Sequence, residues 1–111
     1  MALGQILYQG IGPMQTTPIQ FSSPVDGTPV TFYFGGSGYA NAAESSIAVQ
    51  IMLDGNLLQN ALVYANEGSS HKSLVCMLNV ENLSFGNHTI TLVPQNMLSD
   101  DNDAFMLTMI Y

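Results

Sequence analysis

An all-β fold, two antiparallel sheets packed as a sandwich of about eight strands, is what the sequence predicts. Three features carry that expectation. No stretch places apolar residues at helical spacing over a useful length. Short apolar or alternating runs recur instead, separated by Gly, Pro, Asn, Asp and Ser. The chain also closes on Phe105-Met106-Leu107-Thr108-Met109-Ile110-Tyr111, a strand pattern with apolar residues on both sides.

The runs are residues 5–9, 19–22, 30–34, 46–54, 57–64, 73–80, 88–93 and 104–111. The fourth is the clearest: Ile47, Val49, Ile51 and Leu53 occupy alternate positions and therefore share one face. It ends in Asp54-Gly55, the strongest short-range hairpin signal, and Leu57-Leu58 resume the next strand. Asp26-Gly27 and Pro29 introduce a strand in which Val30, Phe32 and Phe34 share a face. Gly35-Gly36-Ser37-Gly38 then reads as the start of a loop running to Ser45. Phe85-Gly86-Asn87 turns the chain into a strand with Ile90 and Leu92 inward and threonines outward. Residues 10–18, with two prolines, read as an irregular segment wrapping an edge. Eight strands with long-range connections suit a jelly roll.

The whole of residues 1–111 reads as one domain, with no internal repeat and no linker, and with enough chain to bury a core without staples. A hydrophobic fraction of 47% argues for folding rather than disorder. No apolar run approaches the ~18–20 residues needed to cross a bilayer as a helix, so membrane insertion is not expected. No basic-then-apolar leader is visible at the amino terminus. One Lys, no Arg and eight carboxylates give a formal net charge of -7. Nucleic acid is held through Lys and Arg on phosphates, so the same composition argues against nucleic-acid and anionic-membrane partners. Only 8% of residues are charged, so the surface is built from Ser, Thr, Asn, Gln and Gly. Such a surface suits extracellular, cell-surface or virion proteins. Cys76, in register with Leu74 and Leu78, reads as a buried small hydrophobe.

In an antiparallel sheet with one wet face, every second residue should be polar. The last strand has only Thr108. Phe105, Leu107, Met109 and Tyr111 point one way and Met106 and Ile110 the other, so this is either an unusually buried central strand or one whose outer face meets another subunit, and the second is expected.

From Phe32 onward, the Phe-rich strand, the Gly-Ser-Gly-Tyr loop, Leu53-Asp54-Gly55, Tyr64-Ala65-Asn66-Glu67, Leu83-Ser84-Phe85-Gly86-Asn87-His88 and the hydrophobic terminal strand resemble the tumour necrosis factor-like and complement globular-head jelly rolls. The resemblance covers about two-thirds of the chain. It implies a homotrimer with the terminal strand near the threefold axis, acting as a structural or receptor-binding module of a particle, an appendage or a secreted assembly. The segment from Asp54-Gly55 to Leu83-x-x-Gly-x-His-Thr also looks like galactose-binding-like carbohydrate modules, which implies the alternative of a small lectin-like domain binding glycans. The absence of Trp departs from their usual stacking residues.

Candidate ligand-binding residues are Tyr39 and Asn41 on the small-residue loop, with Asn66, Glu67 and His71 on the next. An aromatic offers a stacking face, and amide and carboxylate groups offer hydrogen bonds to a glycan or a protein receptor. Asp100, Asp101 and Asp103 form the densest oxygen cluster and make calcium the candidate cofactor, although no EF-hand pattern surrounds them. His88, in phase with Ile90 and Leu92, is expected to bond a backbone group across its turn. No nucleophile elbow, phosphate-cradling loop or helical His pair is present, and neither His stands in a His-x-His motif, so no catalysis is expected.

Overall fold

The computed structural model describes residues 3–111. Eight strands run β1 Gly4–Ile11, β2 Thr17–Ser23, β3 Val30–Gly38, β4 Ser45–Leu53, β5 Asn56–Ala65, β6 Lys72–Val80, β7 Gly86–Gln95 and β8 Ala104–Ile110. They form two antiparallel four-stranded sheets with the orders β1-β8-β3-β6 and β2-β7-β4-β5. Consecutive strands alternate between sheets except across the β4–β5 hairpin, which is the jelly-roll winding. All eight expected runs are strands.

The alternating residues meet between the sheets. Phe32, Phe34, Ile47, Val49, Ile51, Ile90, Leu92, Leu107 and Met109 are fully buried there. Each such side chain contributes about 1.5–3 kcal/mol through loss of apolar surface to water. Phe21 packs edge-on against Phe32, with centroids 5.7 Å apart. Cys76 lies in the same core. The hairpin expected at Asp54-Gly55 is a two-residue turn with φ of 49° and 87°, the primed geometry that matches strand twist.

One expectation is corrected and another is narrowed. Residues 35–38 continue β3 instead of opening a loop. Glycine is required there for close packing. A Cβ on Gly36 would lie 2.6 Å from Phe105 Cδ1, and one on Gly38 would lie 2.5 Å from the Met97 sulfur. β8 is a central strand, paired with β1 on one side and β3 on the other. Phe105, Leu107 and Met109 fill this chain's own core, so they are not available to another subunit. Tyr111 is half-buried against the same core, its backbone paired with Leu3. Only Met106 and Ile110 of the residues expected at an interface point outward from β8.

The winding sorts the loops into two sets. Loops 12–16, 39–44, 66–71 and 96–103 cluster at one end, here the upper; loops 24–29, 54–55 and 81–85 lie at the lower. Asp26, Glu44, Asp54, Glu67, Glu81, Asp100, Asp101 and Asp103 all sit in these connections. Neither sheet carries a carboxylate on any strand.

Candidate functional site

Each end of the sandwich carries one histidine, His71 held by two aspartates at the upper end and His88 by one at the lower. At the upper end, Ser69 N–H donates to Ala40 O at 2.8 Å, and Tyr39 and Leu98 pair through two backbone hydrogen bonds. These contacts bring the loops bearing Tyr39, Asn41, Asn66, Glu67 and His71 beside the loop bearing Asp100–Asp103. The Tyr39 and His71 rings lie 4.8 Å apart. Asn41, Asn66 and Glu67 are exposed.

Asp103 is the centre of this end and is only 1% exposed. Its Oδ1 accepts from His71 Nδ1 at 2.7 Å and from Ser37 Oγ at 2.7 Å, and its Oδ2 accepts from Asp100 N–H at 2.8 Å. Burial pushes the Asp103 carboxyl up, but the His71, Ser37 and backbone hydrogen bonds together outweigh it and hold the group below the usual carboxylate range. The hydrogen bond to Asp103 raises the His71 pKa, and the nearby Asp100 carboxylate adds to it. His71 Nε2 lies 3.4 Å from Asp100 Oδ2, so a protonated ring spans two carboxylates.

His71, Asp100 and Asp103 each present a ligand atom within 4.8 Å of the others, an arrangement able to hold a metal ion. The expected calcium cluster is therefore reorganised. A histidine nitrogen joins it, and Asp101 stands apart, exposed beside Gly12. A nitrogen and two carboxylates form a poorer calcium set than the six to eight oxygens that ion prefers.

At the lower end, Asp54 and His88 are adjacent because β4 and β7 are hydrogen-bonded neighbours. His88 Nδ1–H donates to Asp54 Oδ2 at 2.6 Å, and Thr89 N–H donates to Asp54 Oδ1 at 2.9 Å. His88 Nε2–H donates to the Ser84 carbonyl at 2.7 Å, the backbone bond across the turn that the sequence suggested. The Asp54 hydrogen bond raises the His88 pKa against its partial burial. The same bond, with Thr89, lowers that of Asp54. Ser84 Oγ is 3.2 Å from His88 Nε2, so Asp54, His88 and Ser84 have the outline of a hydrolytic triad. In the form that donates Nε2–H to the Ser84 carbonyl, the ring has no lone pair toward the hydroxyl and does not act as its base. A pocket of about 480 Å³ opens beside this pair, lined by Gln20, Phe21, Ser22, Asp54, Asn87, His88 and Thr89. Gln20, Asn87 and Asp54 carried no sign of a site in the sequence, since the strands that join them are far apart in the chain.

No protein-family model and no curated protein matches the chain. Among solved structures, it is similar to dimeric latent PorU from Porphyromonas gingivalis, with a TM-score of 0.62 and 9% identity over 97% of this chain. The chain spans 12% of the length of PorU. The EclA C-terminal domain, a sugar-binding protein, aligns with a TM-score of 0.49 and 13% identity over 98% of this chain and 76% of that one. A family 36 carbohydrate-binding module in complex with calcium and xylotriose gives 0.47 and 13% over 100% and 98%. At these identities the likeness is one of fold. No tumour necrosis factor-like head stands among the structures named here.

Proposed function

We propose that this chain is a non-catalytic module that binds an uncharged glycan in the pocket at the lower end. One observation carries the reading: the 480 Å³ pocket is walled by the polar side chains of Gln20, Ser22, Asn87 and Thr89 around a carboxylate already fixed in place. Asp54 is held by His88 and by Thr89 N–H, yet its side chain is 46% exposed. Preorganised amide, hydroxyl and carboxylate groups suit a ligand rich in hydroxyls, and the volume lies in the usual range for small ligands. One Lys and no Arg disfavour an anionic ligand. The sugar-binding names among the solved structures describe those proteins; the pocket chemistry is what supports the reading here. A module of this kind works where glycans are met, at a cell or virion surface or in a secretion.

The experiment is a glycan array on the intact chain, followed by titration of the best hit. Asn87→Ala and Gln20→Ala are expected to weaken binding at least ~10-fold, the effect of about one lost hydrogen bond to a ligand. Tyr39→Ala, at the upper end, is expected to leave it unchanged. If Tyr39→Ala abolishes binding and the other two do not, the ligand sits instead among Tyr39, Asn41, Asn66, Glu67 and His71. An array without hits removes the glycan reading. Of the strand from which the sequence suggested a homotrimer, the face bearing Met106 and Ile110 is the one left open for assembly.

A further inference from the structure

We infer that the outward face of the β1-β8-β3-β6 sheet is an interface for a second copy of this chain, packed face to face about a two-fold axis. The face carries large apolar side chains along both of its edge strands. Ile6 and Ile11 stand 57% and 85% exposed on β1, and Val75 and Met77 stand 59% and 61% exposed on β6. Half-buried Tyr33, Met106 and Ile110 lie between these two edges. The other sheet has exposed Leu57, Leu62 and Tyr64 along the single edge strand β5, with Gln20, Gln50, Thr89 and Thr91 on its remaining strands. Apolar patches of this kind on a soluble chain mark interaction sites.

The shape of the face favours a second copy over an unrelated partner. A hollow of about 720 Å³ lies toward its β1 side, where Gly35, Gly36 and Ala104 leave room between Tyr33, Met106 and Ile11. The protruding Val75 and Met77 stand on the opposite edge strand, β6. Strand pairing sets Gln9 opposite Met106, Met106 opposite Gly35, and Gly35 opposite Val75. Hollow and protrusion therefore lie at one level along the strands. A two-fold axis parallel to the strands exchanges the edges, so Val75 of each copy meets the hollow of the other. That is the self-complementarity an isologous dimer requires.

Charge leaves this face free to pair, and area sets the strength of the contact. Two copies of a chain with net charge -7 repel, yet no carboxylate sits on this sheet. The His71–Asp100 contact stands at its upper rim, and a polar rim around an apolar centre is ordinary interface anatomy. Four strands ~4.8 Å apart, paired over about seven residues of ~3.4 Å, give about 450 Å² per copy in flat projection. The two faces together reach ~900 Å² before side-chain relief is counted, short of the ~1,200 Å² at which standard interfaces begin, so the dimer is a weak one that forms as concentration rises.

The test is solution mass by light scattering during size exclusion of the intact chain, loaded at about 10 to 200 µM. The expected mass is twice 11.9 kDa. Val75→Glu and Gly35→Leu are each expected to return the single-chain mass with the β-sheet circular dichroism of the parent. A Cβ at Gly35 meets only Tyr33 Cε1, at an ordinary 3.6 Å, so filling the hollow does not strain the single chain. Leu62→Glu, on the other sheet, is the control and should stay dimeric. A single-chain mass at the highest load, a trimer, or a dimer that survives in either folded variant overturns the proposal. Glycan binding belongs to the other sheet, so its failure would leave this result untouched.

Discussion

An exposed imidazole, His71, caps a buried carboxylate, Asp103, through a 2.7 Å hydrogen bond from Nδ1 to Oδ1. The two residues come from different loops, and the contact holds those loops together at the upper end. Ser37 and the Asp100 backbone complete the shell around the carboxylate. Buried charge survives when it is paired and hydrogen-bonded.

Asp103→Ala is expected to lower stability by about 1–3 kcal/mol, because three donors lose their acceptor. Asp101→Ala, on the exposed neighbour, should stay within ~0.5 kcal/mol of the parent. Urea denaturation of both variants makes the comparison, and equal losses would remove the special place given to Asp103.

Stability should peak between about pH 4 and pH 6.5. His71 and His88 have raised pKa values, so their contribution is complete below the ordinary histidine value and drains away as pH rises past the raised one. Asp54 and Asp103 have lowered values, so theirs is complete above the ordinary carboxylate value and fades as pH falls past the lowered one. Melting temperatures from pH 3 to pH 9 check this, and His88→Gln should flatten the alkaline decline. A maximum above pH 8 would contradict it.

Gly36→Ala is expected to cost about 1–3 kcal/mol, the usual penalty of overpacking. Its new methyl would meet Phe105 at 2.6 Å and Phe34 at 3.0 Å, both side chains fixed in the core. Gly35→Ala, one residue away on the open face, should be near neutral. Thermal melts of the pair read the difference directly.

Calcium is expected to leave the melting temperature unchanged at pH 6. A protonated His71 already occupies the acceptor edge of Asp103, and an ion binding only the folded chain would have to raise stability. Scans in millimolar calcium and in chelator decide the matter; a clear rise in calcium would restore Asp100 and Asp103 as its ligands.

Much of the fold was legible in local pattern. Ile47, Val49 and Ile51 alternate because one face of β4 is buried, and Asp54-Gly55 can adopt the positive φ angles of its turn. Gly35-Gly36-Ser37-Gly38 misled, since composition alone does not tell a glycine that frees a loop from one that admits Phe105 and Met97 beside a strand. The two faces of β8 were legible as apolar, but not that the odd-numbered face serves the chain's own core. The sites were less visible. Tyr39, His71 and Asp103 were each named, yet their meeting depends on hydrogen-bonded loops 32 residues apart in the His71–Asp103 case. Asp54 and His88, 34 residues apart, meet only because β7 lies beside β4.

Confining every carboxylate to the connections makes the molecule negative at its two poles and leaves its flanks free of negative side chains. On a cationic surface or exchange resin, such a body should stand on a pole with both sheets turned sideways. Crowding it there would bring flank to flank, while added salt would release it by weakening the grip of the poles.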